Sequence, residues 1–197
     1  MIGDRTRQVN RLQETLTASF PELGSLLASL ASPTALALLV AYPGPQALVE
    51  GGAEGVSASL SQVSRGRLGP TQAEAILRAA RATVGLLRRQ RALALKLEVL
   101  AQGILSLGAQ VQRVEAEIED LFRQLPYDPA NFPVGNTQSL AAILAEIEDI
   151  HRFSTLKQFL SHFGWCPQTF QTGGFRLEHP RMSHAGNPYV RRMVWML

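Results

Sequence analysis

A chain of 197 residues has room for one or two domains, and 46% hydrophobic with 18% charged residues is the balance of a protein with a packed core. No apolar run reaches the roughly 18 uncharged residues of a membrane span, and the opening MIGDRTRQ lacks the basic-then-apolar order of a signal peptide, so a cytoplasmic protein without a membrane partner is expected. The single cysteine, Cys166, excludes an internal disulfide and has no second thiol for a zinc knuckle, which leaves it a packing role.

In chain order the sequence predicts helix almost throughout. Val9, Leu12 and Leu16 fall at helical spacing in the first segment. Pro21 and Ser32-Pro33 fit cap and first-turn positions, while Tyr42-Pro43-Gly44-Pro45 and Glu50-Gly51-Gly52 fit turns. Arg65-Gly66-Arg67-Leu68-Gly69-Pro70 breaks the pattern. Thr71-Gln72-Ala73-Glu74 then has the form of a capping box opening a long helical region. Within it Leu93, Leu97, Leu100, Ile104, Leu107, Val111, Val114, Ile118, Leu121 and Leu125 alternate spacings of four and three. Such a seam over residues 93–125 predicts a coiled coil, either an internal helical hairpin or a contact between copies in a homo-oligomer. Gly103 and Gly108 interrupt it and weaken the helix by about 1 kcal/mol each relative to alanine.

Pro126 ends this helix, because proline cannot donate the amide that the next turn requires. Phe132 to Thr137 reads as a turn, followed by a helix from Ser139 to Ile150 with apolar residues at 140, 143, 144 and 147. A turn that opens a helix presents backbone amides to a phosphate, as in helix-hairpin-helix DNA binders. The expected fold is all-α: a helical linker region over 1–70, a long helical, coiled-coil-like segment over 71–126, and a compact helix-hairpin-helix-like C-terminal domain over 127–197.

Charge is unevenly spread. Residues 1–150 hold 13 Lys/Arg against 15 Asp/Glu, whereas residues 151–197 hold six against the single acid Glu178, net +5. A basic tail fits either a polyanion partner or an ordinary solvated surface. Arg176, Arg181, Arg191 and Arg192, with Asn187 and Tyr189, are the groups that contact phosphate oxygens. Trp165, Phe170 and Phe175 could stack on bases or belong to the core. His151, His162, His179 and His184 are too scattered for a metal site, and none is expected.

From Pro133 onward the order of motifs is PVGN, then LAEIEDIHRFSTLKQF, FGWCP, QTGG and MSHAGNPYVRR. This order resembles the C-terminal domain of the IS110, IS116 and IS902 insertion-sequence transposases, relatives of the pilin-gene invertases. Arg5 to Leu16, TALALL from Thr34, SRGRLG from Ser64 and the long helices look like the segment that joins that family's two catalytic domains. The resemblance implies a DNA transposase or site-specific recombinase that joins DNA by phosphodiester strand transfer, in some members guided by a bridge RNA. It further implies a hydroxyl nucleophile in the C-terminal domain. The divalent metal, such as magnesium, is held by an N-terminal RuvC-like domain with four acidic residues that is not recognisable in these residues, so the chain alone is expected to be inactive. Thr172 matches the position of the nucleophilic serine, a departure whose extra methyl crowds in-line attack. Gly173 and Gly174 would let the backbone approach a phosphate, although QTGG also reads as a plain inter-helix loop. Ser183 is expected to contact phosphate, His184 stands where relatives have lysine, and Asn136 where they have glycine. The alternative reading is a non-catalytic nucleic-acid-binding or coiled-coil assembly module.

Overall fold

The computed structural model describes residues 2–86, 89–125, 137–167, 171–172, 175–176, 182–183 and 185–195. In chain order these form α1 (Ile2–Ser19), α2 (Leu23–Leu26), α3 (Pro33–Ala41), α4 (Pro45–Ser64), α5 (Pro70–Arg81), α6 (Gln90–Arg123), α7 (Thr137–Ile147), a 3-10 turn (Ile150–Arg152), α8 (Leu156–His162), β1 (Gln171–Thr172), β2 (Phe175–Arg176) and α9 (Pro188–Trp195). The protein is all-α as the periodicity predicts, apart from the two-residue antiparallel pair β1–β2. It divides into two compact units, Met1–Arg113 and Val114–Leu197.

The first unit is built on one apolar core. Leu12, Leu16 and Phe20 from α1 and its end, Leu36 and Leu39 from α3, Leu48, Val56 and Leu60 from α4, Ala73, Ile76 and Leu77 from α5, and Leu97, Ala101 and Ile104 from α6 are all buried in it. The segments 1–70 and 71–126 thus contribute to the same core. Removing each large aliphatic side chain from water contributes about 1.5–3 kcal/mol, so this cluster carries the unit. Of the polar side chains on α1 buried with it, Thr15 Oγ1 donates to Arg11 O at 2.7 Å and Ser19 Oγ to Thr15 O at 2.9 Å, whereas Gln8 Oε1 is buried without a hydrogen-bond partner.

Several local signals have the predicted outcome. Ser32 caps α3, its Oγ accepting from Ala35 N at 3.2 Å with Pro33 at the first helical position. Arg65 closes α4 in the left-handed conformation, φ 55°. Others differ. The capping box at Thr71 is not used, because α5 begins one residue earlier, with Gly69 as N-cap and Pro70 in the first turn. Glu50-Gly51-Gly52, by contrast, does interrupt the helix as its turn signal predicts: Gly52, at φ 67° and ψ 175°, is non-helical, and two helical stretches of α4 meet there at a kink.

The long helical region is also divided, between Arg81 and Gln90. Neither proline nor a polar run marks the break; tertiary contacts make it. Glu22 accepts hydrogen bonds from Thr83 Oγ1 at 2.8 Å and Val84 N at 3.0 Å, and Leu86 N donates to Ala18 O at 2.9 Å. At Gly85 a Cβ would overlap the Ser19 carbonyl, so only glycine lets the connection lie against the end of α1.

On α6 the predicted seam meets two environments. Leu97 and Ile104 are buried with Ala101, and Leu100 packs against the core. Past them Val111 and Ile118 are half-buried, while Val114, Leu121 and Leu125 are 45%, 54% and 43% exposed. By length and composition alone α6 is apolar enough to cross a membrane, in contrast to the expectation from uncharged runs. Its Leu97, Ala101 and Ile104 are nevertheless used by the protein core.

Partial burial would raise the Glu22 carboxyl, but the hydrogen bonds from Val84 and Thr83 more than offset it and hold the group below the ordinary glutamate range. Its contribution is therefore present above the unfolded value of about 4.3 and lost as pH falls through the lower folded value. Amide exchange at Val84 is expected to accelerate as pH is lowered from 5 toward 3, after correction for the intrinsic rate. Glu22→Gln should show fast exchange at both ends of that range, and a pH-independent wild type would exclude the carboxylate as the pin.

Candidate nucleic-acid interface

In the second unit, α7 and α9 pack together. Leu140, Phe163 and Val190 are buried there, with Phe122 near the end of α6 also buried, and Ser139 Oγ donates to Met193 Sδ at 3.3 Å. Around α8 runs a chain of rings: Phe153 stands edge-on to Phe159 at 5.4 Å between centroids, Phe159 to Phe163 at 5.0 Å, and Trp165 lies 5.3 Å from Phe163. Of the two sequence-based alternatives for Trp165, its ring is thus found against the core aromatics. Thr155 opens α8 by accepting from Gln158 N at 3.3 Å.

Two backbone segments then cross at close range. Gly164, φ 73°, carries no side chain where a Cβ would overlap Ala185 O, and Gly186, φ 98°, none where one would overlap His162 O. Ser183 N donates to Cys166 O at 2.7 Å, and Pro167 bridges to Met182. The FGWCP and MSHAGN motifs are therefore adjacent strips of backbone, which explains why glycines recur in both. Just beyond FGWCP, Thr172 pairs with Phe175 and Gln171 with Arg176.

This geometry sorts the predicted site residues. Half-buried Ser183 holds the strip: its Oγ accepts from Ala185 N at 3.3 Å. Asn187 donates to Glu146 Oε2 at 2.9 Å, tying the start of α9 to α7, and the other oxygen of Glu146 lies 3.7 Å from His162 Nε2. Arg191 points its guanidinium at main-chain carbonyls, with NH1 3.1 Å from Ala185 O, 3.4 Å from Gly186 O and 3.5 Å from Phe163 O. It clamps the crossing from below. Arg192, next along α9, is exposed. Thr172 and Arg176 are placed by their backbone in β1 and β2. Gly173, Gly174, Arg181 and His184 lie outside the described residues, as do Phe170, His179 and the turn around Asn136. Among the described residues no three His, Cys, Asp or Glu side chains converge to hold a metal ion.

Sequence reasoning grouped Arg191 with Arg192 as phosphate ligands, because both are basic and adjacent. Their directions differ: one faces the crossing and the other faces out. It also missed Glu146, Gly164 and Gly186, whose roles appear only when the two strips meet. Gly164→Ala should destabilise the second unit by about 2 kcal/mol or more, since it combines a positive φ with backbone overlap. Thermal unfolding of the variant checks this, and an unchanged midpoint would show that the strips do not cross as described.

Residues 132–197 match the family model described as Transposase IS116/IS110/IS902 family. No curated protein and no solved structure matches the chain. The matched residues hold the FGWCP, QTGG and MSHAGNPYVRR motifs and the helices α7 to α9. Over residues 132–197, about a third of its length, the chain is similar to the C-terminal part of a transposase of the IS116/IS110/IS902 family.

Proposed function

We propose that this chain is the DNA-binding and nucleophile-bearing part of an insertion-sequence transposase that acts in the cytoplasm, with Thr172 as the attacking group. The observation that carries the reading is the family match over residues 132–197, within which Thr172 precedes the glycine pair of QTGG. In the proposed reaction the Thr172 hydroxyl gives up its proton and forms a bond to a DNA phosphorus. The bond from that phosphorus to one sugar oxygen breaks, and the freed oxygen takes a proton. Joining reverses this at a second DNA end. Gly173 and Gly174 supply room for the phosphate, and Arg176, Arg181, Ser183, His184, Asn187 and Arg192 contribute to holding the backbone. Arg191 acts in this scheme through the crossing it clamps. An acidic metal-binding domain, acting with this chain, would supply divalent-metal chemistry, and a bridge-type RNA is the proposed guide to the DNA ends.

Two experiments test the reading. The chain is mixed with an acidic domain of the same family, magnesium, guide RNA and end DNA, and covalent adducts are trapped. Threonine is expected to give a protein–DNA adduct, Thr172→Ser more of it because the crowding methyl is gone, and Thr172→Ala none. Salt-sensitive binding without any adduct, even for serine, would favour a non-catalytic nucleic-acid-binding module.

The second concerns assembly. The exposed Val114, Leu121 and Leu125 continue the seam whose first half is buried, and we assign them to a contact with a second copy of the chain. Sedimentation should show self-association at high micromolar concentration, abolished by Val114→Lys with Leu121→Lys. A monomer at that concentration would exclude the contact.

A further inference from the structure

The basic tail is not the largest concentration of positive charge in this chain. Residues 65–96 hold Arg65, Arg67, Arg78, Arg81, Arg88, Arg89, Arg91 and Lys96 against the single acid Glu74, net +7. The excess is hidden in a total over 1–150 because residues 97–150 carry two basic residues and nine acidic ones, net −7. All of it falls in the Met1–Arg113 unit.

The fold gathers much of this charge along the first half of α4. Arg78 and Arg81, both exposed in the last turn of α5, line a groove with Ala53, Leu77 and Glu74. Arg91 lines a second groove with Gln46, Glu50 and Gln90. The connection between Arg81 and Arg89 is held down by Glu22 and Ala18, so the two pairs of arginines do not drift apart as on a free loop. Among the described residues Arg78, Arg81, Arg89 and Arg91 form no ion pair, whereas Glu50 is occupied by Gln46 Nε2 at 3.0 Å.

Helix stability does not account for the placement. Arg78 and Arg81 suit the negative C-terminal end of α5, but Arg89 and Arg91 stand at the positive N-terminal end of α6, whose first turn holds no acid and where Glu50 of α4 is the carboxylate in the groove of Arg91. That position costs a helix stability instead of adding to it. A ligand that repays the cost must be anionic and extended. Residues 65–96 contain no Phe, Tyr or Trp, so the segment that supplies the arginines offers no stacking platform of the kind with which proteins hold unpaired bases.

We infer that Arg78, Arg81, Arg89 and Arg91, with Arg65 and Arg67 at the far end of α5, form a second nucleic-acid surface that grips the phosphate backbone of duplex DNA independently of the family-matched residues. The inference rests on the DNA-binding reading above. Guanidinium groups without stacking partners read phosphates and not base edges, so the grip is tolerant of sequence.

The test titrates the full chain against one fluorescent 30-base-pair duplex over a range of salt. Arg78→Gln, Arg81→Gln, Arg89→Gln and Arg91→Gln are combined in one variant, the four corresponding lysine substitutions in a second, and a third removes the same charge elsewhere through Arg5→Gln, Arg7→Gln, Arg11→Gln and Arg113→Gln. Circular dichroism selects variants with wild-type helix content. The glutamine variant is expected to bind at least tenfold more weakly at 0.1 M salt, with a salt slope shallower by about three to four, while the lysine variant keeps the slope. Equal losses in the first and third variants would overturn the surface in favour of diffuse charge. Tighter binding to a single strand of the same length, or equal binding to anionic lipid vesicles, would overturn the duplex assignment. A wild-type chain that binds no duplex would sink the DNA-binding reading itself, and the inference with it. Wild-type binding that the glutamine variant leaves intact sinks only the inference.

Discussion

The first unit depends on how the chain returns from α5 to α6. Leu97, Ala101 and Ile104 of α6 enter the core after the connection at residues 83–86 has been held against Glu22 and the end of α1. Glycine at 85 permits the approach, the Glu22 carboxylate answers two donors of the connection, and Ala18 O takes a third. Each of these bonds is worth on the order of 1 kcal/mol net, little beside the apolar burial it directs. Their importance is geometric. They choose which face of α6 meets the core, and so which of its apolar residues remain outside.

The second unit uses the same device in another form. Two strips of chain approach so closely that side chains are excluded at Gly164 and Gly186, and a guanidinium answers the carbonyls that converge there. Hydrogen bonds to a charged donor are stronger than neutral ones, about 1.5–3 kcal/mol, so Arg191 contributes more to holding this crossing than an amide in its place would. With NH1 turned to carbonyls, Arg191 keeps its charge but has fewer donors to offer a phosphate. The positive charge of the tail is in this respect partly structural.

Much of the fold could be read in advance. The Ser32-Pro33 cap, the helix expected from Ser139 and found over Thr137–Ile147, and the seam through Leu97 and Ile104 follow from local rules, because capping, proline placement and apolar period act over a few residues. The division of the long helix at 82–89 was not legible, since Thr83-Val84-Gly85 only weakens a helix and does not by itself stop one; the partners that stop it, Glu22 and Ala18, lie some sixty residues away. At the site the family order of motifs was legible and the neighbours were not. Arg191 and Arg192 look alike in a string, and only the meeting of FGWCP with MSHAGN tells them apart. The charge at 65–96 was legible throughout, but a total taken over 150 residues cancels +7 against −7.

That cancellation bears on how charge and chemistry are distributed. The Met1–Arg113 unit carries 12 basic residues against seven acidic ones, whereas Val114–Leu197, which contains the family match, carries seven against nine. Within that unit the +5 of residues 151–197 is set against −7 over residues 114–150, and Arg191 is committed internally, so the tail supplies only part of the counterion-release term that dominates affinity for a phosphate backbone. Residues that handle a reacting phosphate need accurate placement more than they need net charge. Separating the two tasks lets the crossing at Gly164 and Gly186 be rigid without also having to be strongly basic. The exposed arginines beside α4 carry the long-range attraction, where an error of an ångström costs little.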